Sequence, residues 1–180
     1  HLFHHKTITQ EQLYDQLSKK QVVLVGETHN DLHHHKVQLK IIQALKKRHE
    51  NLAIGLEMFP QHLQPQLDRW VADELTREDF LKVVDWDNIW GFDAELYMPI
   101  FRFARDEQIP LIAMNIKREV VKEVRLKGVD GVDASIRQQL PQIAPASRKY
   151  SMVLREVFDS HPMMSKMGKF DNFVQAQQVW

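Results

Sequence analysis

The stretch "VVLVGETHNDLHHHKVQ", Val22 to Gln38, decides how the chain folds. It opens on an unbroken apolar run, Val22–Gly26, of the kind a strand shows when both its sheet faces are covered. It ends in a helix start: Asn30 or Asp31 is placed to cap the residues that follow. Val37, Ile41 and Leu45 then recur every four residues as far as Lys47, which predicts a helix of about four turns. A second run, "LAIGLEMF" (Leu52–Phe59), follows that helix, so the order is strand, helix, strand, a right-handed unit with parallel strands. A third run, "PLIAMN" (Pro110–Asn115), comes after two or three helices between Pro60 and Gln108. The clearest of these carries Tyr97, Ile100, Phe101 and Ala104 on one face. Upstream, Thr9 and Gln12 have the spacing of a capping box ahead of a short first helix bearing Leu13 and Leu17.

The expectation is an α/β fold: a parallel-sheet core with helices on both faces, in a single domain over 1–180, plus a C-terminal helical excursion over about 134–170. The last segment, "FDNFVQAQQVW", reads as a helix that reaches Trp180 with no stop signal, and the chain opens at His1. It is therefore read as incomplete at its C-terminus, a piece of a longer gene product.

Composition narrows the setting. A chain of 180 residues, 43% of them hydrophobic, can bury a core, and 24 basic residues balance 24 acidic ones. No overall field draws it to a phosphate backbone, so nucleic acid is not expected as a partner. It contains no cysteine, which excludes disulfides and thiolate metal sites. No apolar run reaches the roughly 20 residues needed to span a bilayer.

On this frame Glu27, Glu57 and Asn115 stand at the carboxyl ends of the three runs. Groups in that position converge on one crevice in parallel α/β sheets. His29 follows Glu27 in the turn, and the helix after it sets His34 and Gln38 on one face at i and i+4. The histidines 33, 34 and 35 cannot all ligate one ion, because consecutive helical residues diverge by about 100°. At least one belongs to the surface. The His29–His33 spacing suits zinc only in mid-helix, and here it straddles a turn.

The segments "GETHNDLHHHKVQ", "LAIGLEMFPQHLQPQLD", "ELYMPIFRFARDEQIPLIAMNI" and "FDNFVQAQQVW" together resemble the ChaN-like haem-binding lipoprotein family, in order and over nearly the whole chain. The resemblance implies haem or iron uptake or storage at the cell envelope of a Gram-negative bacterium. It implies an outer-membrane lipoprotein facing the periplasm or the surface, held to the membrane only through a lipid anchor absent from this chain. The wider superfamily includes erythromycin esterases and TIKI-type metalloproteases with a similar Gly-Glu-x-His opening. The carry-over covers Glu27, His29, His34 and Glu57, while the later motif of that pattern lies beyond Trp180. Two functions follow: haem binding, ranked first, and a metal-dependent hydrolase built on Glu27, His29 and Glu57.

Haem needs an apolar slot, an axial donor and cations for its propionates. Tyr150 beside Arg148 and Lys149 is the first choice for the iron, ahead of His161 and Tyr97, with Met163 among the soft side chains of "HPMMSKMGKF". Tyr97 shares its face with Ile100, Phe101 and Ala104 and reads first as a packed core tyrosine with a bonded hydroxyl. An apolar patch of this kind is normally covered, and a homodimer that forms on haem binding would cover it.

Overall fold

The computed structural model describes residues 7–160 and 168–180. The chain divides into two compact units: one runs to Met58 and takes in Leu63–Ala113, and the other comprises Phe59–His62 and Met114–Trp180.

The first unit begins with α1 (Gln10–Leu17), whose Thr9 and Gln12 close the expected capping box. Its Tyr14 packs with Ile41, Ala44 and Leu45 of α2 (Leu32–Lys46). Next comes β1 (Ile54–Pro60), then α3 (Gln64–Val71), α4 (Arg77–Val83), α5 (Trp86–Ile89), α6 (Met98–Asp106) and β2 (Leu111–Asn115). The crossover thus holds four helices where two or three were expected. With seven and four residues, α4 and α5 are too short for a helical period to register.

The sheet is parallel and contains β1 and β2. The Ile54 N–H donates to the Pro110 carbonyl across it at 2.9 Å. Burial alternates along β2 and along β1 as far as Met58, after which Phe59 and Pro60 are buried as well. Ile54, Leu56, Leu111 and Ala113 are buried, whereas Gly55, Glu57 and Ile112 are exposed. Gln64, at the start of α3, works as an added peptide on the far edge of β2. Its side-chain amide donates to the Leu111 carbonyl and accepts from the Ala113 N–H, both at 2.8 Å. A sheet edge is thereby satisfied by one side chain rather than by another strand.

The α/β class read from the sequence stands, but the third strand does not. Val22–Gly26 joins no ladder among the described residues. It keeps the period of two, with Val23 and Val25 packed on the Tyr14–Leu45 cluster and Val22 and Leu24 standing 75% and 90% exposed. Its backbone is held instead by side chains of α2: Gln38 donates to the Val25 carbonyl at 2.9 Å, and the Thr28 N–H donates to His34 Nδ1 at 3.0 Å. Continuous apolarity was read as burial on two faces, whereas one face of the run is buried.

The core of this unit is aromatic. Trp70, Phe80, Phe101, Leu67 and Met98 are wholly buried, and α6 presents Met98, Ile100, Phe101 and Ala104 inward as its periodicity predicts.

The second unit contains α7 (Arg118–Lys127), α8 (Ala134–Arg137), α9 (Arg148–Ser160) and α10 (Phe170–Val179). In α7, Val124 packs with Val132, Ala176 and Val179, and on α9 Leu154 and Phe158 pack with Phe173 and Val174. Gly128 ends α7 at φ 74°, where a Cβ would meet the Asn172 side chain at 2.9 Å. The positive φ is what favours glycine there, since the Asn172 side chain can move aside. No helix among the described residues is long and apolar enough to cross a membrane.

Candidate functional site

The turn after Val22–Gly26 is clamped from α2. Asp31 caps that helix, accepting the N–H groups of His33 and His34. These two bonds hold the Asp31 carboxyl below the usual range for aspartate. With His34 on Thr28 and Gln38 on Val25, Glu27 and His29 have little freedom. His34 is therefore a residue of the helix start rather than of a pocket wall. His33 is exposed, the surface histidine expected of the trio.

Glu27 is nearly buried, and its Oε1 lies 2.5 Å from Nδ1 of the half-buried His29. The hydroxyl of Tyr97, the residue that leads into α6, lies 3.3 Å from the His29 carbonyl and 3.5 Å from Glu27 Oε1. The fully buried His35 donates through Nε2 to the same carbonyl at 3.1 Å. Trp90 and Phe92 wall the His29 ring at centroid distances of 4.6 and 4.8 Å, and His35 meets the Tyr97 ring at 4.4 Å.

Burial pushes the Tyr97 hydroxyl up to about 12. The charges of Glu27 and Glu57 add to this, and the Trp90 indole, which makes no hydrogen bond of good geometry, offsets it only in part. Both carboxylates thus act on one hydroxyl, and Glu57 itself is exposed on β1. An unfolded tyrosine ionises near pH 10, so the stability that the neutral phenol supplies is complete below about pH 10 and is lost as pH rises through about 12. Tyr97→Phe is expected to flatten that alkaline decline. Urea melts at about pH 9 and about pH 11 check it, and an equal drop in variant and wild type would refute the assignment.

Three buried polar atoms of this cluster have no hydrogen-bond partner among the described residues: Glu27 Oε2, His35 Nδ1 and the Trp90 N–H. Unpaired polar atoms of both kinds, a carboxylate oxygen and an indole N–H, suit a small polar guest. No group of three or more His, Asp or Glu side chains among the described residues is arranged to hold a metal ion. Asn115 belongs to the second unit, where it is buried and its Oδ1 accepts the Ile116 N–H at 2.8 Å.

The residues read as haem contacts lie on other elements. Tyr97 is 3% exposed and committed to the Glu27 turn, so its oxygen is no free donor. Arg148, Lys149 and Tyr150 open α9 and are exposed. Tyr150 is 38% exposed, and Met152, Val153 and Val157 on the same helix are likewise exposed. A phenol, exposed apolar side chains and two cations thus stand on one helix. His161 and Met163 lie outside the described residues.

Sequence reasoning missed His35, Trp90 and Phe92. For His35 a signal existed: it lies one helical turn before Gln38, which faces the same run. For the two aromatics the signal is Gly91, whose φ of 77° turns Trp90 and Phe92 onto one ring.

A solved ChaN of Campylobacter jejuni, described with cofacial haem binding, has the same fold, with a TM-score of 0.76 at 20% identity. The match covers 98% of this chain and 69% of that one. The chain is also similar to Protein RETICULATA-RELATED 5, chloroplastic, of Arabidopsis thaliana, at 26% identity over 137 residues. That is 71% of this chain but only 18% of the plant protein's length. Residues 13–180 match the family described as haem-binding uptake, Tiki superfamily, ChaN, and the chain belongs to that family.

Proposed function

We propose that this protein binds haem as cargo and serves haem or iron uptake or storage at a bacterial cell envelope, as an outer-membrane lipoprotein. Membership of a haem-binding family supports the reading. The observation that carries it is the exposed start of α9, where a phenol, an apolar strip and two cations are collected on one short helix. Tyr150 is the ligand to iron, Arg148 and Lys149 hold the propionates, and Met152, Val153 and Val157 face the porphyrin. At the Glu27 turn the aromatic rings of Trp90, Phe92 and Tyr97 already pack on His29 and His35, so haem is assigned to the exposed face of α9 instead. A second copy closes over the exposed porphyrin face. Titrating the purified protein with haemin is expected to give a Soret band that saturates at a fixed stoichiometry. A band that grows without saturation, as for haemin in buffer, would overturn the proposal.

A second reading keeps a hydrolase built on Glu27, His29 and Glu57. The 2.5 Å contact of His29 with Glu27 and the buried, unbonded Glu27 Oε2 favour it. The lack of a third ligand among the described residues weighs against its metal-dependent form. Metal content measured on the protein as purified separates the two: stoichiometric zinc or manganese lost in Glu27→Gln would favour the hydrolase.

A further inference from the structure

Glu27 is a nearly buried carboxylate that no lysine or arginine answers. Among the described residues its ion-pair contacts are with His29 at 2.5 Å and His35 at 3.9 Å. Its Oε2 has no hydrogen-bond partner there and no appreciable solvent contact. The charge of Glu57 adds to that of Glu27 at the Tyr97 hydroxyl. Aromatic rings wall the same turn, Trp90 and Phe92 on His29 and Tyr97 on His35. A carboxylate taken out of water calls for a positive partner, and ring faces favour a cation beside them. Two further buried atoms of the cluster are unpartnered: Nδ1 of His35, a side chain 2% exposed, and the Trp90 N–H, which can only donate. A guest that satisfies both Glu27 and Trp90 therefore carries a positive donor and an oxygen acceptor.

We propose that the Glu27 turn binds a small free amino alcohol: a primary ammonium group donates to Glu27 Oε2, and a hydroxyl oxygen close to it accepts from the Trp90 N–H. The atoms are those the hydrolase reading uses, but the inference rests on their unpaired state and needs no metal and no hydrolysis. The approach to the turn suits a cation as well. Phe92 is 37% exposed and also borders an open cleft of about 610 Å³. That cleft is lined by Asp85, Asp87 and Asp93 against Arg77 and Lys82, and Arg77 is engaged by Glu78 and Glu95. Carboxylates outnumber cations there, which draws a positive guest and turns away a negative one. Since Glu27 Oε2 is closed to solvent, the guest reaches it by displacing the Trp90–Phe92 wall, whose Gly91 stands at φ 77°. The enclosure selects a small free molecule over the same group on a lipid.

Isothermal titration calorimetry of the haem-free, chelator-treated protein with ethanolamine tests this, with propylammonium, propanol and glycolate as comparators. Ethanolamine is expected to bind saturably, with a Kd on the order of a millimolar for so small a ligand. Propylammonium keeps the charge and lacks the oxygen, so it should bind several-fold more weakly, and propanol and glycolate should not saturate. Glu27→Gln keeps the shape and removes the charge, and should weaken ethanolamine by at least about tenfold. Trp90→Phe should bring ethanolamine down to the level of propylammonium and leave propylammonium unchanged, the cycle that assigns the oxygen to the indole. Circular dichroism checks the fold of each variant, and Trp90→Phe carries the test if Glu27→Gln does not fold. Absence of saturation, propanol as tight as ethanolamine, or full-strength binding in a folded Glu27→Gln would overturn the site. So would a response to vesicles bearing ethanolamine phospholipid in place of free ethanolamine. The hydrolase reading fails separately: a protein that holds no metal as purified can still bind the amine, and a protein that ignores the amine can still hold metal.

Discussion

Tyr150→Phe is expected to shift the Soret band of the haem-loaded protein and to weaken haem binding by about tenfold or more, the equivalent of about 1.4 kcal/mol. The substitution removes one oxygen and keeps the ring, so the apolar strip of Tyr150, Val153 and Val157 survives and haem still associates. On the proposed ligation what is lost is an iron–oxygen bond, and the spectrum reports such a bond directly. Tyr97→Phe serves as the internal control. Its hydroxyl is buried against Glu27 and the His29 carbonyl, so its loss should leave the Soret band where it is. An unchanged band in Tyr150→Phe, or an equal change in both variants, would move the ligand off Tyr150.

The control works because the structure separates two tyrosines that the sequence could only rank. Tyr97 was readable as a core residue from its spacing to Ile100, Phe101 and Ala104, and its burial agrees. Local signals were likewise legible. The Thr9 capping box, the Asp31 cap and the two strands at Leu52–Phe59 and Pro110–Asn115 all follow from rules that act over a few residues. What stayed hidden depends on partners distant in the chain. Val22–Gly26 has every local property of a strand, but a ladder needs a neighbour, and Gln38 and His34 hold it instead. His35 looked like one of three crowded histidines until its ring was placed against Tyr97, 62 positions further on. The aromatic wall of His29 depends on one glycine dihedral, which no hydrophobic period encodes.

Trp70→Ala is expected to be the most damaging single substitution in the first unit, costing about 3–5 kcal/mol of a total that for most proteins is only about 5–15. Trp70 is wholly buried on α3, its ring lies 4.7 Å from Phe80, and the Arg105 guanidinium covers it at 4.7 Å. Its indole N–H donates to the Phe101 carbonyl of α6 at 2.8 Å, so it joins two helices by packing and by a buried hydrogen bond. A graded series distinguishes these terms. Arg105→Ala should cost about 0.5–1 kcal/mol as a partly exposed cation–π contact, and Trp70→Phe more, through lost volume and a lost bond of about 1 kcal/mol. Trp70→Ala should lower the melting temperature by roughly 10 °C or more. A fall of only two or three degrees would show that α3 and α6 are held by something else. The consequence reaches the candidate site through α6. Phe101 stacks on Tyr97 at 6.4 Å, and Tyr97, the residue that leads into α6, touches both Glu27 and the His29 carbonyl. Loosening Trp70 therefore frees the hydroxyl that holds the Glu27–His29 turn, while α9, whose core is Leu154, Phe158, Phe173 and Val174, keeps its own support. Haemin binding should outlast the loss of the Tyr97 contact in this variant if the cargo sits on α9, and should fail together with it if haem is held at the Glu27 turn.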